Sequence, residues 1–405
     1  MKWFTSSFLI AVCLVFCAPA HAQQCASAED MQTLQQRLAD QEKIINNLMG
    51  RLDMLEKAAP AKAAPAVSDA GHKVSAKYPL ALHGDFRYRH ELISSQGAKQ
   101  RNRHRIRVRV GMDATLSDDT RAGFQIASGT GDPVSNNQTL DNGFDGKQVT
   151  FSQAYMSHGF GAATLTAGKM GNPFYVPGKS ELVWDSDLNP EGLALTYRHS
   201  DSFANIGGFW IDERSGSADS LLVGAQAGHS WKNTDTGAHF TLGLGYYDYL
   251  HTKNQASFVD AADSFGNTVN AAGKYANDFN ELNIFTEYGF GLSGRSAKVF
   301  ADYVTNTAAS AHDTGWLAGV SADTKQHHAV SYRLIYRRME KDAVPGAYTD
   351  SDFGGGGTDS KGMELGLDYN VTKLAKASLS YFINDQGIAA GRNYNRLQLD
   401  YALKF

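Results

Sequence analysis

Arginine recurs at every second position in two stretches of this chain. Arg87 and Arg89 lie in the first, and Arg105, Arg107 and Arg109 in the second, within R-N-R-H-R-I-R-V-R-V-G at 101–111. Phe86, Tyr88, Ile106, Val108 and Val110 fill the positions between them. Successive strand residues point to opposite faces, so each stretch has a cationic face and an apolar face. Rows of guanidiniums steer and bind anions, and by themselves make or break no bond. Arg121, Arg333 and Arg396 repeat the pattern in later stretches. Acid is concentrated in G-N-P-F-Y-V-P-G-K-S-E-L-V-W-D-S-D-L-N at 171–189, which carries Glu181, Asp185 and Asp187. The sequence holds no G-x-S-x-G, H-E-x-x-H or Walker loop, and no G-x-G-x-x-G that opens a helix, so no enzyme is expected. No cofactor or metal is expected either. Asp141 to Gly146 offers oxygen ligands but lacks the closing Glu of a calcium loop, and reads as a solvated turn. His327 and His328 are adjacent, so in a strand they face opposite ways and cannot share an ion.

The elements that must carry these residues are short and alternating. The chain has 405 residues, 20% of them charged and 11% aromatic, and a formal charge of −4, which gives no argument for nucleic acid. Mean hydropathy is −0.36, and past residue 22 there is no apolar run of the roughly 20 residues that a spanning helix needs. A transmembrane barrel escapes that test, because only every second residue faces lipid. From Tyr78 onward about sixteen alternating stretches can be read. Brief turns at 117–119, 159–161, 200–202, 233–237, 292–294, 324–326 and 371–373 alternate with longer connections at 131–145, 171–189, 252–278 and 341–360. Short turns on one rim and long loops on the other predict an all-β transmembrane barrel of about 16 antiparallel strands over 78–405. An even strand number places both ends of the barrel on the short-turn, periplasmic rim. A charged face is costly against lipid, so the arginines are assigned to the lumen, which sixteen strands leave wide enough for water. Closure brings the last strand beside the first, so Arg396, Arg87, Arg89, Arg105, Arg107, Arg109 and Arg121 form one basic wall over four strands. Arg333 lines the lumen elsewhere.

Three segments precede the barrel in this reading. Residues 1–22 read as a signal peptide, with Lys2, an apolar run from Phe8 to Phe16, and Ala20-His21-Ala22 as the cleavage site. That leaves Cys25 as a lone thiol. Residues 23–57 read as a short α-helical coiled coil on the periplasmic side, its seam made by Met31, Leu34, Leu38, Ile45, Leu48, Leu52 and Leu55. The self-association this implies is the natural way to cover such a seam. Residues 58–77, rich in Ala and Pro, read as a linker.

The final stretch, N-R-L-Q-L-D-Y-A-L-K-F at 395–405, resembles the closing strand of bacterial outer-membrane barrels. The resemblance makes Tyr401, Leu403 and Phe405 the signal for the barrel-insertion machinery. The runs at 101–111, G-T-G-D-P-V-S-N-N-Q-T-L at 129–140, G-N-P-F at 171–174 and L-V-W-D-S-D-L-N-P-E-G-L-A at 182–194 are similar to the bacterial "putative porin" family, over about 79–405. That resemblance implies an outer-membrane diffusion channel for small hydrophilic solutes or ions, in contact with outer-membrane lipid and assembled as a homotrimer. In general porins the loop after the fifth strand enters the barrel. If 171–189 does so, Glu181, Asp185 and Asp187 face the basic wall and set a transverse field with mild anion preference. Two other readings are a structural barrel with a closed lumen whose coiled coil tethers the envelope, and a barrel sheathing a redox partner.

Overall fold

The computed structural model describes residues 78–405, and Lys43 alone before them. The expected signal peptide, coiled coil (Met31 to Leu55), linker and Cys25 lie outside the described residues.

The described chain is built from successive strands, with three single 3-10 turns in its long loops. The strands are β1 (Leu80–Ser95), β2 (Arg101–Thr115), β3 (Thr120–Ser128), β4 (Gln138–Thr139), β5 (Val149–Phe160), β6 (Ala163–Lys169), β7 (Glu191–His199), β8 (Ser202–Asp212) and β9 (Ser220–Lys232). They continue with β10 (His239–Leu250), β11 (Phe279–Leu292), β12 (Arg295–Asn306), β13 (Thr314–Asp323), β14 (Val330–Met339), β15 (Ser360–Asn370), β16 (Ala375–Gln386) and β17 (Arg392–Lys404). Sixteen of them form a closed antiparallel barrel in which each strand pairs with its sequence neighbours and β17 pairs with β1. The two-residue β4 adds to β2 beyond the point where β3 has ended.

The expected segregation of connections holds. Turns at 116–119, 161–162, 200–201, 233–238, 293–294, 324–329 and 371–374 share one rim, where β1 begins and β17 ends. The opposite rim carries the loops, of which 129–148, 170–190, 251–278 and 340–359 are the longest.

Burial is inverted relative to a protein folded in water. Asp85, Arg89, Glu91 and Arg396 are buried, while Phe86, Tyr88, Leu399, Tyr401 and Leu403 on the same strands are exposed. That arrangement is stable only where the outer solvent is apolar. The closing seam shows how tightly the sequence fixes it. Gly84 N–H donates to the Phe405 carbonyl at 3.0 Å and Phe405 N–H returns the bond at 3.1 Å. A Cβ on Gly84 would come within 2.4 Å of the Arg109 carbonyl and 2.6 Å of the Phe405 ring, so only glycine lets the terminal aromatic close against β1.

The apolar core lies inside the barrel. Phe209, Leu222, Tyr247, Tyr249, Phe279, Phe300, Val304, Leu317, Ile335 and Met339 project inward from β8 to β14 and are buried. Loop residues Phe174, Leu182, Val183, Trp184, Tyr275, Ala343 and Val344 fill the space between them.

Candidate functional site

Register decides where the arginines meet. Pairing of β1 with β2 sets Arg87 opposite Arg107 and Arg89 opposite Arg105, and pairing with β17 sets Arg89 opposite Asp400. Like charges directly opposite repel, so the wall needs carboxylates between its rungs. Asp85 accepts from Arg107 Nε at 3.0 Å and Arg109 Nε at 2.6 Å. Asp400 takes Arg89 in a two-pronged pair at 2.7 Å each. Glu91 is fully buried among Arg396 at 2.6 Å, Arg103 at 2.5 Å, Arg89 at 3.7 Å and Arg105 at 4.0 Å. Asp352, from the loop 340–359, reaches in to Arg396 at 2.7 Å and Arg89 at 3.1 Å. Burial alone would raise the Asp352 carboxyl; Arg396 and Arg89 outweigh it and hold the group far below the usual carboxylate range.

Six of the eight expected arginines, Arg87, Arg89, Arg105, Arg107, Arg109 and Arg396, fall in this one cluster. Two do not. Arg121 sits opposite Thr115, the last pair before the turn 116–119, exposed and in no ion pair among the described residues. Arg333, on β14, pairs with Glu364 of β15. The alternation of β1 and β2 could have revealed Glu91 and Arg103, since both share the parity of the arginines beside them. Arg337 shares the parity of Arg333 on β14 and so falls on the lumenal face by alternation, but nothing in the sequence pointed to Asp350 or Asp352. Asp113, a natural counter-ion by position, instead accepts the Tyr155 hydroxyl at 2.9 Å and faces His83 at 3.6 Å.

The loop 170–190 crosses the lumen. Tyr175 N–H donates to Gln226 on β9 at 2.7 Å, and Gly178 N–H donates to the Glu287 carboxylate on β11 at 2.7 Å. Gly178 has φ +60, and a Cβ there would meet the Phe300 ring of β12 at 2.4 Å. Phe174 stacks on Trp184 with centroids 5.9 Å apart and meets Tyr247 edge-on at 4.9 Å.

The acids of this loop divide, which corrects the expectation that all three oppose the basic wall. Asp187 does so, at 3.2 Å from Arg109 and 3.5 Å from Arg107. Glu181 and Asp185 turn instead toward Asp350, with carboxylate oxygens of all three within 4.8 Å of one another. The cation there is Arg337, whose Nη1 donates to Asp350 at 3.3 Å and to the Glu181 carbonyl at 3.0 Å. Burial, and then Asp350, push the Glu181 carboxyl up to about 8. Burial, and then Glu181, hold Asp185 well above its ordinary value. Backbone bonds join the two loops here: Asp185 N–H donates to the Tyr348 carbonyl at 2.9 Å, and Ser351 N–H donates to the Asp185 carboxylate at 3.0 Å. The path past the basic wall is therefore bounded by a second loop, 340–359, as well.

The weaker candidates have ordinary partners. Lys147 Nζ pairs with Asp141 at 3.4 Å and with Asp145, which places a cation of the chain's own among those oxygens. His328 Nδ1 is 3.0 Å from the Tyr369 hydroxyl, in the turn 324–329.

Comparison with known proteins adds three findings. The family described as "Putative porin" matches residues 92–282 and 282–405. No curated protein matches the chain. Among solved structures, Pseudomonas putida OprB at high pH is 14% identical, with 82% of this chain and 96% of that chain covered and a TM-score of 0.54, a likeness of fold. A triple mutant of the Rh. blastica porin is 11% identical, with 81% and 100% covered and a TM-score of 0.49.

Proposed function

The chain belongs to the "Putative porin" family and forms an outer-membrane diffusion channel, and from that premise we propose how it sorts solutes. Small hydrophilic solutes cross between the arginine wall and the loops 170–190 and 340–359, with a mild preference for anions. One observation carries this reading. Arg87, Arg89, Arg103, Arg105, Arg107, Arg109 and Arg396, seven guanidiniums, meet the five carboxylates Asp85, Glu91, Asp187, Asp352 and Asp400. The surplus is positive, and charge at a constriction sets which ion passes more easily. No covalent step is needed, and the protein acts as a channel rather than a catalyst.

The rest of the reading concerns assembly. The proposed coiled coil, 23–57, and the proposed linker, 58–77, precede in sequence a barrel whose two ends we assign to the periplasmic rim. Three copies associate, in keeping with the a/d seam from Met31 to Leu55, while Tyr401, Leu403 and Phe405 present the insertion signal. Their outward exposure on β17 and at its end supports that role.

A second reading, a tether with a closed lumen, draws on the apolar packing between loops and the β8–β14 wall. Reversal potential of the purified protein in a planar bilayer under a KCl gradient separates the two. Steady conductance reversing toward the chloride potential is the expected result. Reversal toward potassium would give control to Asp187 and its neighbours, and no conductance from folded protein would favour the tether.

A further inference from the structure

We propose that the long-loop mouth of the channel holds a saturable binding site for small organic dianions, above all dicarboxylates whose two groups are several carbons apart. The inference rests on the reading of the chain as an open channel and adds a ligand to it.

A cavity of about 410 Å³ lies where β1, β2 and β17 reach the loops, with Lys99, Arg101, Arg103, Arg105 and Arg396 in its lining. That is the size of a small-molecule site. Glu91, behind the lining, and Asp352 offset Arg103 and Arg396, which leaves Lys99, Arg101 and Arg105 as the cations with capacity to spare. Asp352 is committed to Arg89 and Arg396. Asp132 accepts the Val134 N–H at 3.0 Å, and burial holds its carboxyl above the ordinary value.

Those three cations, by contrast, keep unused capacity. Lys99 and Arg101 are in no ion pair among the described residues. The nearest carboxylate to Arg105 is Glu91, at 4.0 Å, and its other contacts, to Ser135 Oγ and the Asn137 carbonyl, are long at 3.4 Å each. The Nε atoms of Arg105 and Arg396 are buried with no partner. Buried donors of this kind cost free energy unless a ligand satisfies them, and a guanidinium matches a carboxylate with two parallel bonds.

Spacing sets the ligand class. Arg101, Arg103 and Arg105 share one face of β2 as successive inward rungs, so neighbouring rungs are about 7 Å apart. Two carboxylates on a chain of four to six carbons span such a step. A monoanion engages one rung only. The site is separate from the Arg107, Arg109 and Asp187 contact, which lies deeper along the same strand.

The test is single-channel recording at fixed KCl, with succinate, adipate, acetate or inorganic phosphate added to each side in turn. The expected result is saturable interruption of the current by a dicarboxylate from one side, at least tenfold tighter than by acetate. The double variant Lys99→Gln, Arg101→Gln should weaken it at least fivefold, and Arg105→Lys should weaken it as well. Neither of the first two residues is in an ion pair, so that variant is the one that folds most safely. Dicarboxylate and acetate acting alike, or affinity unmoved in both variants, overturns the site while leaving the channel intact. Block by phosphate as tight as by adipate overturns the two-rung geometry. Absence of KCl conductance from the folded barrel overturns the channel reading itself.

Discussion

The barrel has two halves built on one strand pattern and put to opposite uses. On β1 and β17 the inward positions include Asp85, Arg89, Glu91, Arg396 and Gln398, all buried, and they are held by ion pairs and hydrogen bonds to one another and to the arginines of β2. On β8 to β14 they include Phe209, Tyr247, Phe300, Leu317 and Ile335, equally buried, and loops seal them with Trp184, Phe174 and Leu182. An apolar loop can cover an apolar wall at a gain of free energy, whereas covering a charged wall would strip water from ions. The loops therefore pack their apolar residues on one side and reach the other with polar groups such as Asp187 and Asp352. Alternation along a strand does not decide between pore and core; the side chains that loops bring to the wall decide it.

The sharpest way to break the charged half is to remove the carboxylate that most arginines share. Glu91→Gln leaves Arg89, Arg103, Arg105 and Arg396 without their common partner at a site with no exposure. Losing one member of a buried ion pair costs about 3–5 kcal/mol. The expected outcome is a large fall in the temperature at which the purified barrel loses its folded gel mobility in detergent. A variant that melts with the parent would show that the wall is solvated and held by other bonds.

The packed half should break differently. Trp184→Ala removes a ring stacked on Phe174 and set edge-on to Tyr247 at 5.2 Å. Truncating a buried aromatic costs about 3 kcal/mol or more, and here the loop can move away and relieve part of it. Conductance is expected to rise as the loop 170–190 leaves the lumen, while the ion preference stays with the arginines. Unchanged conductance would mean that the loop's other anchors, among them Tyr175, Gly178, Asp185 and Asp187, hold it in place without the ring.

How much of this was legible in the sequence follows the same division. The charged half could be read, because Arg87, Arg89, Arg105, Arg107 and Arg109 alternate with apolar residues and a period of two fixes their face. Closure placed the last strand beside the first, but the register that sets Arg89 against Asp400 was not legible, because adjacency alone leaves the stagger of two strands open. The packed half could not be read. Asp350 and Asp352 lie in a loop with no period, and only its fold brings them to Arg337 and Arg396. The same ignorance set Glu181 and Asp185 against the wrong wall: loop acids near a basic ladder oppose it only if the backbone turns them that way.

Asp187 is the acid of the loop 170–190 that reaches the arginine wall, and its neutralisation should have a moderate effect. Asp187→Asn takes one carboxylate from beside Arg107 and Arg109, which retain Asp85. The barrel should fold normally, and the reversal potential in a KCl gradient should move a few millivolts toward chloride. No movement, or movement toward potassium, would show that the charge of Asp187 does not contribute to the field that passing ions feel.

The smallest expected effect is a dependence on pH at the seam between the two lumenal loops. Glu181 has an ordinary value of 4.5 and is pushed up to about 8, so the folded seam favours its protonated form. A raised carboxyl value means that the seam is strongest below the ordinary value and loses free energy steadily as pH rises through about 8. Asp185 shifts in the same direction. Arg337 and Arg333 oppose the trend, since each draws the ionised carboxylates toward it, which is why the effect stays small. Cleavage of the loop 340–359 by an added protease should therefore be slower at pH 5 than at pH 9. Glu181→Gln, uncharged at both, should flatten the difference. If the variant keeps the full dependence, the titrating group is elsewhere, and the seam is fastened by its backbone bonds through Tyr348 and Ser351 rather than by shared protons.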